Sequence, residues 1–191
     1  DEHISKMNWN VLNMLNTKYI VTRQGVYPNP DAMGNAWFVN EVQFVPTPDD
    51  ESAALNTLDL SRTAVADGKF REVLTCNATP NETDEIVLTS YQPNELVYHT
   101  RAANDRVAVF SEIYYPEGWH LYIDGEEREI GRVNYVLRAA VIPAGEHTLR
   151  MHFLPDAMRW DKWCAGLVIL LFVLSATILI GWPIYQKKRV A

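Results

Sequence analysis

Cysteine is nearly absent from this chain, with two residues in 191, Cys76 and Cys164. So few exclude a disulfide-stapled scaffold and a four-cysteine zinc site. Because Cys164 abuts a long apolar run, a bridge to Cys76 is not expected. Glycine is also sparse, at 9 residues, and forms neither a phosphate-cradling loop nor a nucleophile elbow. The five histidines are scattered, and His147 and His152 are five apart, a spacing that sends strand side chains to opposite faces. No metal site, cofactor or catalytic residue is therefore expected in these residues. Positive charge is in deficit, 17 Lys and Arg against 24 Asp and Glu for a net charge of −7. With no basic stripe, nucleic acid is excluded as a partner.

One long hydrophobic run stands out against this acidic background. Residues 163–185, in "WCAGLVILLFVLSATILIGWPIY", carry no charge. As a helix they would reach roughly 34 Å, enough for a hydrocarbon core of about 30 Å. Trp160 and Trp163 flank one end and Trp182 and Tyr185 the other, as rings do at headgroup level. Lys187, Lys188 and Arg189 follow, whereas every Asp and Glu precedes residue 162. The positive-inside rule then assigns a transmembrane helix to 160–186, a cytoplasmic basic tail to 187–191, and an extracytoplasmic position to everything before. The start, "DEHISKM", has no basic segment followed by an apolar one, so no secretory signal accounts for that export. The expectation is the carboxy-terminal piece of a longer, polytopic protein, with the lipid bilayer and the remaining transmembrane portion of the same polypeptide as partners.

The residues before the span divide by pattern. In 1–84, an α/β lead-in, Ile4, Met7, Val11 and Met14 recur at helical spacing and run into a strand, "KYIVT". The stretch 27–35 is a loop, and "AWFVNEVQFV" at 36–45 reads as one strand. In "TPDDESAAL", Thr47 can cap a helix, Pro48 suits its first position, and Asp49, Asp50 and Glu51 suit its positive end. "RTAVAD" is strand-like. From 85 to 156, the runs "EIVLTSY", "LVYHT", "RVAVFSEIYY", "WHLYI", "NYVLRAAVI" and "HTLRMHF" alternate with "QPNE", "AAND", "PEG", "DGEE" and "PAGE". That rhythm predicts an antiparallel β-sandwich. The overall fold class is mainly β with minor α, followed by one transmembrane helix. Asp124-Gly125 marks a tight hairpin, and Leu149, Met151 and Phe153 should face the core, opposite Thr148, Arg150 and His152.

Two acidic groups, Asp49-Asp50-Glu51 and Glu126-Glu127-Glu129, read as a helix start and a solvated hairpin edge rather than as acid and base pairs. The sequons Asn77-Ala-Thr79 and Asn81-Glu-Thr83 would be glycosylated only in a eukaryotic secretory context. More telling is "YYPEGWHLYIDG", which gathers aromatic and polar groups around a turn, as sugar-binding surfaces on β-sandwiches do. Its candidate carbohydrate contacts are Trp119, His120, Tyr122 and Asp124, with an envelope glycan as ligand; the other reading is that these rings serve the core.

The stretches "LNMLNTKYIV", "GNAWFV", "YYPEGWHLYIDGEE" and "VNYVLRAAVIPAGEHTLRMHF", followed by a last span, resemble the carboxy-terminal part of the YfhO-type bacterial membrane proteins. Those are similar in plan to polyprenyl-phosphate-sugar-dependent glycosyltransferases. The resemblance implies a bacterial cytoplasmic-membrane protein whose catalytic carboxylate lies in an early outer loop, outside these residues. This portion would position the acceptor or brace the membrane domain. The alternative expectation is a non-enzymatic, membrane-tethered carbohydrate-binding or structural envelope module.

Overall fold

Thr47 caps a helix as its position in the sequence requires: its hydroxyl accepts from the Asp50 amide at 3.2 Å and opens α2, Pro48–Ala54. Asn8 does the same for α1, Trp9–Met14, accepting from the Val11 amide. The computed structural model describes residues 7–76, 79–81 and 83–189, and the side chains of these except 156–162 and 180–189. Ile4, the sequon positions Asn77, Ala78 and Glu82, and the side chains of Trp160, Trp182, Tyr185 and the 187–189 basic cluster lie outside that description. The chain divides into two compact units, Asp1–Phe153 and Leu154–Ala191.

The first unit is mainly β, built on two antiparallel sheets. Strands β6 (Glu85–Gln92), β7 (Glu95–Ala102), β9 (Trp119–Ile123), β10 (Glu126–Arg128) and β13 (Gly145–Phe153) form one, in the order β10-β9-β13-β7-β6. Strands β3 (Ala36–Val39), β8 (Arg106–Ile113), β11 (Gly131–Val133) and β12 (Leu137–Ile142) form the other, in the order β11-β12-β8-β3. Alternation sets the core between them. Leu96, Tyr98, Phe110, Leu121, Ile123, Ile142, Leu149 and Met151 are buried there. Tyr98 and Phe110 meet edge to face, their centroids 5.0 Å apart.

The four-stranded sheet is covered on its other face as well. Val39, Val107, Val109, Val133, Leu137 and Ala139 pack there with Met14, Leu55, Leu60, Val65 and Leu74 of the lead-in. That is why β8 and β12 read as nearly unbroken apolar runs, a pattern of strands buried on both sides. The covering layer contains β4 (Glu41–Val45), α2 and β5 (Thr63–Asp67), with β4 and β5 parallel, and the short helix α3 (Arg71–Leu74). A hairpin, β1 (Tyr19–Thr22) and β2 (Gly25–Pro28), makes its own two-stranded sheet; its second strand takes the first two residues assigned by sequence to the 27–35 loop.

Two runs expected to be single strands are broken, each by a polar side chain. Residues 36–45 split at Asn40 into β3 and β4, which belong to different sheets. The buried Arg106 guanidinium donates to the Val39 carbonyl at 3.3 Å and the Asn40 amide oxygen at 3.2 Å, and pairs with Asp84, where the chain leaves the four-stranded sheet. Residues 134–142 break because Asn134 and Tyr135 both have positive φ, 50° and 70°. The Asn134 amide donates to the Val65 carbonyl at 2.7 Å, and its side-chain oxygen accepts from the Val65 amide at 3.0 Å. Asn134 is thus a clamp on β5, with β12 starting only at Leu137.

The second unit contains α4, Asp156–Arg189, 34 residues long. Among the described residues no helix is long and apolar enough to cross a membrane. The described side chains of α4 cover 163–179, short of the ~20 residues a span needs.

Candidate functional site

The aromatic block singled out in the sequence straddles the turn between β8 and β9. Gly118, at φ 110°, turns the chain into β9 in a conformation that a side chain would strain. Along β9, Leu121 and Ile123 fill the core between the sheets while His120 and Tyr122 face outward from the five-stranded sheet. Trp119 is inward by the same alternation but, at the strand's start, only half-buried.

Trp119 is held between two groups. The Arg138 guanidinium lies 4.1 Å from its ring centroid, and Phe153 sits 5.2 Å away with the rings tilted at 49°. Tyr115, half exposed, continues the cluster through Phe153 at 6.4 Å, and Tyr114 meets Phe70 edge-on at 5.7 Å. The rings of Phe70, Tyr114, Tyr115 and Trp119 wall a cleft of about 370 Å³, whose polar groups include His120, Glu127, Glu129 and Arg138. His120 Nδ1 and Glu127 Oε1 are 2.6 Å apart. An aromatic wall with a few fixed polar groups can stack a sugar ring and hydrogen-bond its hydroxyls.

Arg138 is the unexpected member. It is only 3% exposed and donates from Nε to the Ile113 carbonyl at 2.9 Å. Burial pulls its pKa below the usual guanidinium range, opposed by the nearby charge of Glu112. Burial likewise raises the Glu112 carboxyl, and Arg138 pulls it back down. The sequence held a signal for this residue: in "LRAAVI" a charge occupies a position that alternation sends into the sandwich. Phe70 could not have been found that way, since it reaches the cleft from the lead-in layer.

The four predicted contacts do not all converge. Trp119 and His120 line the cleft. Tyr122 stacks beside His120, with centroids 6.5 Å apart and planes at 27°, on the outer sheet face. Asp124 is committed to the β9–β10 turn: at φ 51°, followed by Gly125 at φ 91°, it accepts from the Thr148 amide at 2.9 Å and lies 2.5 Å from His147 Nδ1. The bond to His147 and the one from Thr148 lower the Asp124 pKa, and the Asp124 carboxylate raises that of His147. Among the described residues, no three His, Cys, Asp or Glu side chains gather as a metal set.

The acidic groups divide as well. Glu126 and Glu127 lie exposed on the hairpin edge, and Glu51 stands in the first turn of α2 as its sequence position implies, but it has a second role. It is fully buried, accepting from Arg132 Nη2 at 2.7 Å and from the Tyr135 amide at 2.8 Å, and burial raises its carboxyl pKa. It therefore bridges the helix layer to the β11–β12 turn. No curated protein and no solved structure matches the chain. Residues 59–161, more than half of the sequence and including the whole aromatic block, match the family model described as bacterial membrane protein YfhO, and the chain belongs to that family.

Proposed function

We propose that the chain is the extracytoplasmic domain and last membrane span of a lipid-linked-sugar glycosyltransferase acting on cell-envelope glycans, and that the Trp119 cleft positions the acceptor. The observation that carries this is the cleft itself: rings of Tyr114, Tyr115 and Trp119 converge with His120 and Glu127 in about 370 Å³, on a chain of a bacterial membrane protein family. The scale suits one or two sugar rings better than a flat protein interface. Bond making belongs to residues outside this chain.

The span is supported by α4. From Leu167 to Leu174 its side chains are all apolar and all bare, so apolar surface leaves the helix on every side. Such a helix is a poor surface helix of a soluble protein and a good lipid-facing one. The basic residues 187–189 and the acid-rich 1–162 give the sidedness.

Binding of envelope oligosaccharides to the purified chain, measured by calorimetry, tests the cleft. Tyr115→Ala and His120→Ala are expected to weaken binding at least tenfold with little change in melting temperature, because both side chains sit at the cleft mouth. Trp119→Ala should weaken it too, while also costing about 3 kcal/mol of stability from a partly packed ring. Full binding by Tyr115→Ala and His120→Ala together would remove the cleft from acceptor handling. Comparing envelope glycans with and without the full-length gene tests the transferase reading separately.

A further inference from the structure

We propose that the β1–β2 hairpin is a second membrane contact, a peripheral foot that lays its bare face on the headgroup layer of an anionic bilayer. The hairpin has two unlike faces. Ile20 is 9% exposed and turns toward the domain. On the opposite face the cross-strand pairs Tyr19↔Pro28 and Val21↔Val26 carry apolar side chains into the open, with Tyr19 65%, Val21 76% and Val26 60% exposed. Two such strands cannot bury this surface between themselves, and a bare apolar face of this kind marks an interaction site.

The hairpin is tied to the domain at its foot. There Asn29 is buried, donating from Nδ2 to Asn13 Oδ1 and to the Thr17 carbonyl, both at 2.8 Å, while its amide donates to the Lys18 carbonyl at 2.8 Å.

Charge selects the occupant. In a chain of net charge −7, residues 3–30 contain no Asp or Glu. Lys18 and Arg23 bracket β1 in sequence, are exposed, and have no ion-pair partner among the described residues. Tyrosine and valine inserted at the acyl boundary, with lysine and arginine at phosphate level, is how peripheral segments hold an anionic lipid surface. A second copy of this acidic chain offers less charge complementarity.

The test uses the full chain reconstituted into vesicles, with Cys76 and Cys164 replaced by Ala and an environment-sensitive fluorophore on Val21→Cys or, in a second protein, Val26→Cys. In vesicles of phosphatidylglycerol and phosphatidylcholine, both labels should shift to the blue and be quenched by lipids brominated near the headgroup. A label on Ser61→Cys should show neither effect. Lys18→Glu and Arg23→Glu should each reduce the engaged fraction as expected for about a fivefold loss of affinity per charge, and phosphatidylcholine alone should support little engagement. The proposal is overturned if both hairpin labels remain as water-exposed as the Ser61 label. It is equally overturned if their shift is insensitive to brominated lipid and grows with protein density, which would make a second copy the occupant. Neither result bears on glycan binding in the Trp119 cleft.

Discussion

The two faces of the four-stranded sheet are packed by different means. Toward the five-stranded sheet the core is aromatic and aliphatic, centred on Tyr98 and Phe110, and both layers are strands whose backbone groups are satisfied along their own ladders. Toward the lead-in layer the fully buried apolar groups are aliphatic, Leu60, Leu74, Val65 and Val109 among them. There short helices and a parallel strand pair end against the sheet, leaving backbone groups and chain ends to be matched one by one. Buried polar residues do that matching: Glu51 with Arg132 and Tyr135, and Asn134 with Val65. The sheet-on-sheet core is sealed mainly by area, with Arg106 and Arg138 as its buried charges; the mixed layer is sealed by specific bonds.

The contrast breaks most visibly at Glu51. Glu51→Ala strands the Arg132 charge and the Tyr135 amide, and is expected to cost about 3 kcal/mol in denaturant unfolding. Glu51→Gln, which keeps an acceptor for that amide, should cost clearly less. Equal losses would mean that packing, not bonding, holds the lead-in layer.

A smaller effect of opposite sign is expected on the other face. The Tyr98 hydroxyl is buried with no hydrogen-bond partner among the described residues, and burial raises its pKa. Tyr98→Phe should leave the ring contact with Phe110 intact and stabilise the domain by about 1 kcal/mol, read as a rise in melting temperature. A loss of that size would show that this core, too, depends on a polar bond.

Smallest is the pH dependence at the β9–β10 turn. The raised pKa of His147 gives stability that is complete below about pH 6.5, its unfolded value, and is lost as pH rises through the folded pKa. The depressed pKa of Asp124 gives stability that is complete above about pH 3.9 and is lost as pH falls through its folded pKa. The pair is therefore most effective between those two values. Asp124→Asn keeps a residue that tolerates positive φ and an acceptor for Thr148, so it should flatten this profile while lowering peak stability by less than about 1 kcal/mol, the Asp124 side chain being half exposed. An unchanged profile would assign the pH response to other groups.

The same contrast explains what could be read from residues alone. Alternation in "HTLRMHF" placed Leu149 and Met151 inward, Thr47 announced α2, and Asp124-Gly125 announced its hairpin, because each signal is local to the element it describes. Within the candidate site, Trp119, His120, Tyr114 and Tyr115 were legible as one aromatic block. Asp124 looked like a fourth polar contact until its bonds to Thr148 and His147 accounted for it. Glu51 was legible as part of a helix start but not as a buried partner of Arg132, because nothing near it in sequence offers one.

By itself, the sequence determined the mainly β character, the turns that space the strands, the uncharged run at 163–185 and the family. The family rests on the resemblance of whole motifs, and the rest follows from periodicity, turn chemistry and composition, which a short window of residues carries. Only the tertiary structure decided where the polar residues go: Arg132 and Tyr135 lie 81 and 84 positions from the Glu51 they satisfy, and Asn134 lies 69 from the Val65 it clamps. Such a partnership leaves no mark in either segment, because burying a charge or an amide becomes tolerable only when the folded chain brings its counterpart to it.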